Sequence, residues 1–148
     1  MDSIHWDKPY PFCANIQVEP KHIDSLGHVN NVVYVSWLEH CAWQHANSLG
    51  IDLNDYHRLN RAMVVVRHEL NYLASAFAED QLIMATWITQ SDLRLKLRRQ
   101  FQLIRPADGC TLLRAATDFV CIELSSGTPK RMPPLFAEAY GKALQLQA

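Results

Sequence analysis

One segment of the chain combines helical periodicity with an almost complete lack of charge. Between Asn30 and Leu49 the only formal charge belongs to Glu39. Spacings of three and four residues place six side chains on one helical face: Tyr34, Trp37, Leu38, Cys41, His45 and Leu49. The other faces carry further apolar residues: Val32, Val33, Val35, Ala42, Trp43 and Ala46. A helix that is apolar on nearly all sides is enclosed by other elements. The sequence therefore predicts a long buried helix, capped by Asn30 or Asn31 and stopped at Gly50.

Strand-like runs lie on both sides of this helix. One run precedes it, Phe12–Glu19, and is ended by Pro20. Residues 52–61 form a polar connection, and four strand-like runs separated by turn signals follow it: Ala62–Leu70, Gln81–Thr89, Arg94–Arg105 and Thr111–Leu124. A short final helix is predicted over Leu135–Leu146, because the prolines before it are tolerated at a helix start.

This order predicts how the elements pack. Consecutive strands joined by short turns pair antiparallel, and one sheet wrapped around one apolar helix buries both. That arrangement is the hot-dog architecture of the α+β class. A length of 148 residues suits one domain, 1–148. Since the exposed face of such a sheet usually continues across a dimer, we expect a homo-oligomer, either a homodimer or a homotetramer.

Charge and glycine spacing exclude several classes of function. A net charge of −1 and a pI near 6.6 argue against a nucleic-acid partner. The longest run without charge, 25–38, is too short to span a membrane. No basic and apolar export signal opens the sequence, so a cytoplasmic location with four reduced thiols is expected. The glycines form no dinucleotide, P-loop or serine-hydrolase motif. No metal or cofactor is implied.

The segment before the apolar helix holds the candidate chemistry. Asp24 lies just ahead of the helix start, with Gly27 and His28 between them. The first turn of a helix offers unpaired N–H groups and the positive end of the dipole, which can polarise a carbonyl oxygen. A carboxylate beside such a carbonyl suffices for hydrolysis when the leaving group is a thiolate, since a thiol pKa of about 8.5 lets it depart without a protonating acid.

These residues resemble a known enzyme family. Asp24-Ser25-Leu26-Gly27 followed by Tyr34, Trp37 and Glu39 is similar to the D-x-x-G…Y-x-x-W-x-D/E signature of hot-dog acyl-CoA thioesterases of the 4-hydroxybenzoyl-CoA thioesterase type. The resemblance covers most of the chain. It implies that Asp24 is the nucleophile or general base, and that the backbone N–H of Asn31 is the helix-start donor. It implies an acyl-CoA substrate and release of free acid and CoA. His28 and Asn31 depart from that family's residues, and we expect His28 to orient Asp24 or the substrate.

A second resemblance points to a different acyl carrier. The run His28-Val29-Asn30-Asn31 is similar to the D-x-N-x-H-V-N-N motif of acyl-ACP thioesterases, with Leu26 in place of the motif's first Asn. This departure removes the Asn side chain on which such a mechanism relies. Glu69 is a weaker match to a carboxylate of those enzymes. An acyl carrier protein is therefore an alternative partner, and a non-catalytic protein that binds acyl- or aryl-CoA is another. A hydratase is a third, for which the paired Asp/His pattern is missing.

Each candidate residue also has a purely structural interpretation. Asp24 can form an Asx-turn or cap the helix, and His28 can bond to the backbone. Tyr34 and Trp37 can bind the acyl group, although aromatic residues on this face more often pack in a core. Cys41 and His45 have the spacing of half a zinc site, but no second half is apparent.

A basic stripe completes the candidate set. Arg94, Lys96 and Arg98 alternate with leucines, so that one face of the predicted strand is basic. The stripe suits the phosphates of CoA or an acidic carrier protein, and its alternative role is a solvated outer face. Arg99 falls in the apolar phase of the same strand and therefore needs a buried partner or an interface.

Overall fold

The computed structural model describes residues 4–148, in which five strands and three α-helices follow a short N-terminal segment. The strands are β1 (Phe12–Gln17), β2 (Arg61–Tyr72), β3 (Gln81–Ser91), β4 (Lys96–Arg105) and β5 (Cys110–Glu123). The helices are α1 (Asn31–Ser48), α2 (Leu53–Leu59) and α3 (Pro134–Gln147). A single 3-10 turn, Pro20–His22, links β1 to the loop before α1. No helix in 4–148 is long and apolar enough to cross a membrane.

All strand pairs are antiparallel, and the sheet order is β1-β3-β4-β5-β2. The expectation that the four later strands pair consecutively is wrong for β2, which pairs with β5 and not with β3. The reason is the segment that follows β2, which is not a tight turn. The amides of Leu73 and Ala74 both donate to Leu112 O, and Val29 N donates to Ala76 O. The chain therefore passes the start of α1 before β3 begins.

Helix α1 contacts the sheet along the face that its periodicity predicts. Its buried residues share that face: Tyr34, Trp37, Leu38, Cys41, His45 and Ala46. The helix is not enclosed on all sides, however, because Val32 is 74% exposed and Trp43 is 37% exposed. Apolar side chains on and just after β2 are exposed as well: Val65, Val66, Tyr72, Leu73 and Phe77. Val66 lines a groove with Lys96 and Arg98, and we call the other six residues the open apolar face.

Two other expectations are corrected by local hydrogen bonding. The polar connection contains α2, which begins with a reciprocal cap: Asp55 N donates to Asp52 Oδ1, and Asp52 N donates to Asp55 Oδ2. Strand β4 begins at Lys96, so Arg94 lies in the preceding turn. That turn is held by Asp92 Oδ1, which accepts from the amides of Arg94 and the two residues after it.

Candidate active site

The loop before α1 folds back on itself and delivers Asp24 to the helix start. Ile23 and Val29 form an isolated antiparallel bridge, and Asp24 N donates to His28 O at 2.9 Å. Asn30 N donates to His22 O at 2.9 Å. Gly27 has a φ of +81°, a left-handed conformation that favours glycine and closes the turn between Asp24 and His28. The D-x-x-G spacing thus corresponds to one tight turn beside the first turn of α1.

The amide groups at the start of α1 are not used equally. The Asn30 side chain caps the helix by accepting from Val32 N through Oδ1 at 2.9 Å, and Asn30 O accepts from Val33 N at 2.9 Å. Among residues 4–148, no acceptor takes the Asn31 N–H. A helix start with an uncommitted N–H attracts a partially negative oxygen. The amide of Asn31 is therefore the available donor at this end of α1.

The Asp24 carboxylate is half-buried, and one of its oxygens is engaged. Oδ1 accepts from Leu26 N at 2.8 Å, which is the Asx-turn of the structural interpretation. Within 4–148, no side-chain donor binds the other oxygen, Oδ2. The turn and a chemical role are compatible, because the bond to Leu26 fixes the carboxylate while leaving Oδ2 with free lone pairs.

His28 does not contact Asp24 through its side chain among the described residues. Its exposed ring lies edge-on to Phe77, with centroids 5.3 Å apart, on the open apolar face. Asp24 and His28 lie in the loop before α1, and Asn31 is the first residue of the helix. The predicted orientation of Asp24 by His28 is not seen within a single chain.

The two aromatic candidates on α1 are core residues. The Tyr34 hydroxyl accepts from Ala76 N at 3.1 Å, and its ring packs edge-on to Trp37 and to Tyr72. Trp37 also packs edge-on to His22. Burial raises the pKa of Tyr34, so this phenol stays protonated at neutral pH. Both side chains hold the loops around the helix start in place.

The three basic candidates have different surroundings. Arg98 donates from Nη1 to both oxygens of Asp118, at 2.9 and 3.0 Å, and Nη2 lies 3.7 Å from Glu69. Lys96 is exposed and joins no ion pair among the described residues. Lys96 and Arg98 line the same shallow groove on the sheet, whereas Arg94 is in the turn. The predicted stripe is therefore reduced to one free cation and one paired cation.

A cavity of about 190 Å³ lies between α1 and the sheet, away from the Asp24 loop. Its polar and charged lining residues are Glu39, His68, Arg99 and Thr117, together with the phenols of Tyr56 and Tyr140. Glu39 lies at the exposed end, where its Oε1 is 3.9 Å from His68 Nε2. His68 Nδ1 is hydrogen-bonded to Thr117 Oγ1 at 2.8 Å. Sequence reasoning missed this group, because its members come from three distant elements.

Arg99 and His45 form a buried pair beside this cavity. Arg99 Nη1 donates to His45 Nδ1 at 2.7 Å and lies 3.3 Å from Thr86 Oγ1. Burial, reinforced by the charge of Arg99, lowers the pKa of His45 to about 3. The structure thus supplies the partner that the apolar phase of Arg99 requires. No group of three metal-binding side chains occurs in 4–148, and His45 Nδ1 is committed to Arg99.

The family follows from comparison with known proteins. The sequence profile of the thioesterase-like superfamily matches residues 18–140, most of the chain. The chain belongs to this superfamily. It is also 31% identical over 117 residues to the long-chain acyl-CoA thioesterase FadM of Escherichia coli (strain K12), covering 76% of this chain and 84% of that protein.

Solved structures of other proteins share the fold of this superfamily member. A DHNA-CoA thioesterase from Staphylococcus aureus aligns with a TM-score of 0.84 and 21% identity, covering 92% of each chain. Slr0204, a 1,4-dihydroxy-2-naphthoyl-CoA thioesterase from Synechocystis, aligns with a TM-score of 0.81 and 20% identity, covering 89% of this chain and 96% of that one. SAV2348 from S. aureus, solved in complex with CoA, aligns with a TM-score of 0.87 and 17% identity, covering 99% and 90%. At 17–21% sequence identity, the similarity to these three structures shows a shared fold alone.

The predicted α+β hot-dog architecture and thioesterase family are confirmed for this superfamily member. The similarity of the His28–Asn31 run to acyl-ACP thioesterases stays a prediction. So do the roles of the individual site residues.

Proposed function

We propose that the chain is a thioesterase that hydrolyses an acyl-CoA to a free acid and CoA, with its reaction centre at the start of α1. Membership of the thioesterase-like superfamily and 31% identity to an acyl-CoA thioesterase support this activity. One structural observation supports this location. The uncommitted N–H of Asn31 lies at the start of α1, and the loop that leads into this helix start carries Asp24.

The proposed reaction uses these two groups together. The thioester carbonyl oxygen accepts from Asn31 N–H, where the helix dipole stabilises the negative charge that develops on it. Asp24 Oδ2 either removes a proton from the attacking water or attacks the carbonyl carbon itself. The carbon–sulfur bond breaks, and the sulfur leaves as a thiolate that needs no acid, given a thiol pKa of about 8.5. Water supplies the oxygen of the released acid in both cases.

We place a second copy of the chain over the open apolar face. Exposed apolar side chains on α1 and β2 are adjacent to the edge of the sheet, and the outer edge of β2 pairs with no strand in 4–148. An apolar face with an open strand edge favours association. The His28–Phe77 contact lies on this face. A partner chain would thus enclose the Asp24 loop, which supports a homo-oligomer as the active form.

The substrate's CoA portion is assigned to the groove that Lys96 and Arg98 line together with the carboxylates of Asp92 and Asp118. Lys96 is the free cation of this groove, and Arg98 adds a fixed guanidinium beside it. Phosphate groups of CoA bind such cations. A cytoplasmic location and an acyl carrier protein as alternative partner stay predictions from the sequence.

The decisive experiment is a turnover screen over short, long and aromatic acyl-CoAs, with detection of free thiol. We expect turnover by the wild type and a loss of orders of magnitude in kcat for Asp24→Asn, as removal of a base or nucleophile requires. The Asn side chain can still accept from Leu26 N, so the turn is retained. Asp7→Asn is the matched control, since Asp7 pairs with Arg114 at the surface.

Each outcome of this screen has a definite consequence. Unchanged turnover by Asp24→Asn would exclude the role of that carboxylate. Binding of acyl-CoA without turnover at any chain length would identify a non-catalytic binding protein. Faster turnover of a carrier-protein thioester than of the CoA thioester with the same acyl group would identify the acyl-ACP alternative.

A further inference from the structure

Arg99 is a fully buried cation without a counter-charge. It is 1% exposed, and it forms no ion pair with a carboxylate among residues 4–148. Its Nε–H is buried and has no hydrogen-bond partner in the part of the chain that the structure describes. Among the described residues, the polar groups against its guanidinium are the neutral imidazole of His45 and the hydroxyls of Thr86 and Tyr140.

The other polar groups around Arg99 are neutral as well. Burial raises the pKa of the Cys41 thiol to about 12, and it also raises the pKa of the Tyr140 hydroxyl. Neither group carries a negative charge at neutral pH. The nearest carboxylate in the cavity lining, Glu39, is 60% exposed and is directed towards His68 at the open end. No carboxylate within 4–148 therefore balances the charge of Arg99.

An unbalanced buried charge with an unused donor is costly, and proteins rarely keep one without a use. The empty space beside Arg99 is of ligand size. The cavity holds about 190 Å³, and an apolar cavity of about 150 Å³ is sufficient for benzene in another protein. Its remaining lining is largely apolar, including Leu38, Ala42, Leu97 and Phe101. The space therefore suits an apolar chain.

We infer that this cavity is a binding site for an apolar chain ending in a carboxylate, which enters past Glu39 and places its carboxylate against Arg99. The guanidinium offers charge-assisted hydrogen bonds to that carboxylate, and the apolar walls bury the chain. Glu39 and His45 are six residues apart on α1, about 9 Å along the helix axis. That span matches a chain of medium length.

Two classes of molecule contain an apolar chain that ends in a carboxylate. A free fatty acid, the product class of the proposed reaction, supplies a carboxylate directly. An acyl-CoA whose chain carries a second, terminal carboxylate supplies it from the far end of the acyl group. Because the cavity lies away from the Asp24 loop of the same chain, the thioester would then be held by the Asp24 loop of the second copy placed over the open apolar face. The second source rests on the proposed function, whereas the first can be measured without any turnover.

The first arm of the test measures binding by isothermal titration calorimetry. Octanoate is compared with octanamide, which has the same chain and no charge. We expect octanoate to bind the wild type at least about tenfold more tightly, in keeping with a hydrogen bond to a charged group. Arg99→Met should reduce this ratio to about one. Arg58→Met, at an exposed pair with Asp55 on α2, is the matched control and should keep the wild-type ratio.

A second variant tests the cavity without touching the arginine. Ala42→Phe fills the cavity from the side of α1 and should weaken binding of both compounds by about tenfold or more. It keeps the inference testable if Arg99→Met does not fold. Equal affinity of the wild type for octanoate and octanamide would overturn the inference, and so would binding of neither compound.

The second arm distinguishes the sources by steady-state hydrolysis. If the terminal carboxylate of the acyl group is recognised, kcat/KM for suberoyl-CoA exceeds that for octanoyl-CoA by about tenfold in the wild type, and Arg99→Met removes the preference. If octanoate binds through Arg99 while the two substrates are hydrolysed equally, the ligand is the free acid. Absence of all turnover would count against the proposed function alone, because the calorimetric arm stands without it.

Discussion

The guanidinium of Arg99 donates to Nδ1 of His45 across 2.7 Å in the interior of the protein. Because arginine can only donate, Nδ1 must carry a lone pair, and the imidazole proton is therefore on Nε2. Protonation of Nδ1 would place two cations in contact within a buried site. Burial and this charge lower the pKa of His45 from 6.5 to about 3.

The first prediction concerns stability against pH. The unfolded chain protonates His45 below about pH 6.5, whereas the folded chain does not until about pH 3. The contribution of this histidine is thus fully present above pH 6.5 and is lost as the pH falls towards 3, at up to about 1.4 kcal/mol per pH unit. His45→Gln can still accept from Arg99. In this variant the free energy of unfolding, measured with urea, should depend less steeply on pH between pH 6 and 4 than in the wild type. His57→Gln, on the exposed side of α2, should not show this change.

The sequence predicts both members of this pair but not their contact. His45 belongs to the buried face of α1, as the spacing indicates, and Arg99 falls in the buried phase of β4. Local patterns give the side that a residue faces, whereas the contact between two residues 54 positions apart depends on how the helix lies across the sheet. The same limit hides the Glu39–His68–Thr117 group. It also hides the pairing of β2 with β5, because pairing order is not a local property.

The second prediction concerns the helix cap. Asn30 Oδ1 accepts from Val32 N, and loss of such a cap costs about 1 kcal/mol. Asn30→Ala should therefore lower the free energy of unfolding in urea by about that amount, while Asn30→Asp should retain it. An equal loss in both variants would show that the side-chain acceptor is not what stabilises this end of α1. The sequence leaves the choice between Asn30 and Asn31 open, and the structure assigns the cap to Asn30.

The third prediction separates packing from substrate binding at Tyr34. Tyr34→Phe removes the acceptor of Ala76 N and leaves a buried N–H unpaired, which costs about 1–3 kcal/mol of unfolding free energy. Because the hydroxyl is committed to the backbone, we expect KM for acyl-CoA to change less than about threefold, a range set by loss of a single weak contact. Tyr10→Phe, at a 64% exposed side chain, should change neither quantity. A large rise in KM without loss of stability would instead favour the predicted role of Tyr34 in binding substrate.

The last prediction concerns the groove that Lys96 lines. Lys96 is exposed and unpaired among the described residues, so its charge is available to a CoA phosphate, whereas Arg98 is already bound to Asp118. An exposed ion pair contributes about 0.2–1 kcal/mol, so Lys96→Gln should raise KM for acyl-CoA by roughly 1.4- to fivefold at low salt. The difference from wild type should shrink at 1 M salt, where the screening length falls to about 3 Å. Lys142→Gln, on the exposed side of α3, is the matched control. Equal KM values for Lys96→Gln and wild type at low salt would show that the CoA phosphates do not bind in this groove.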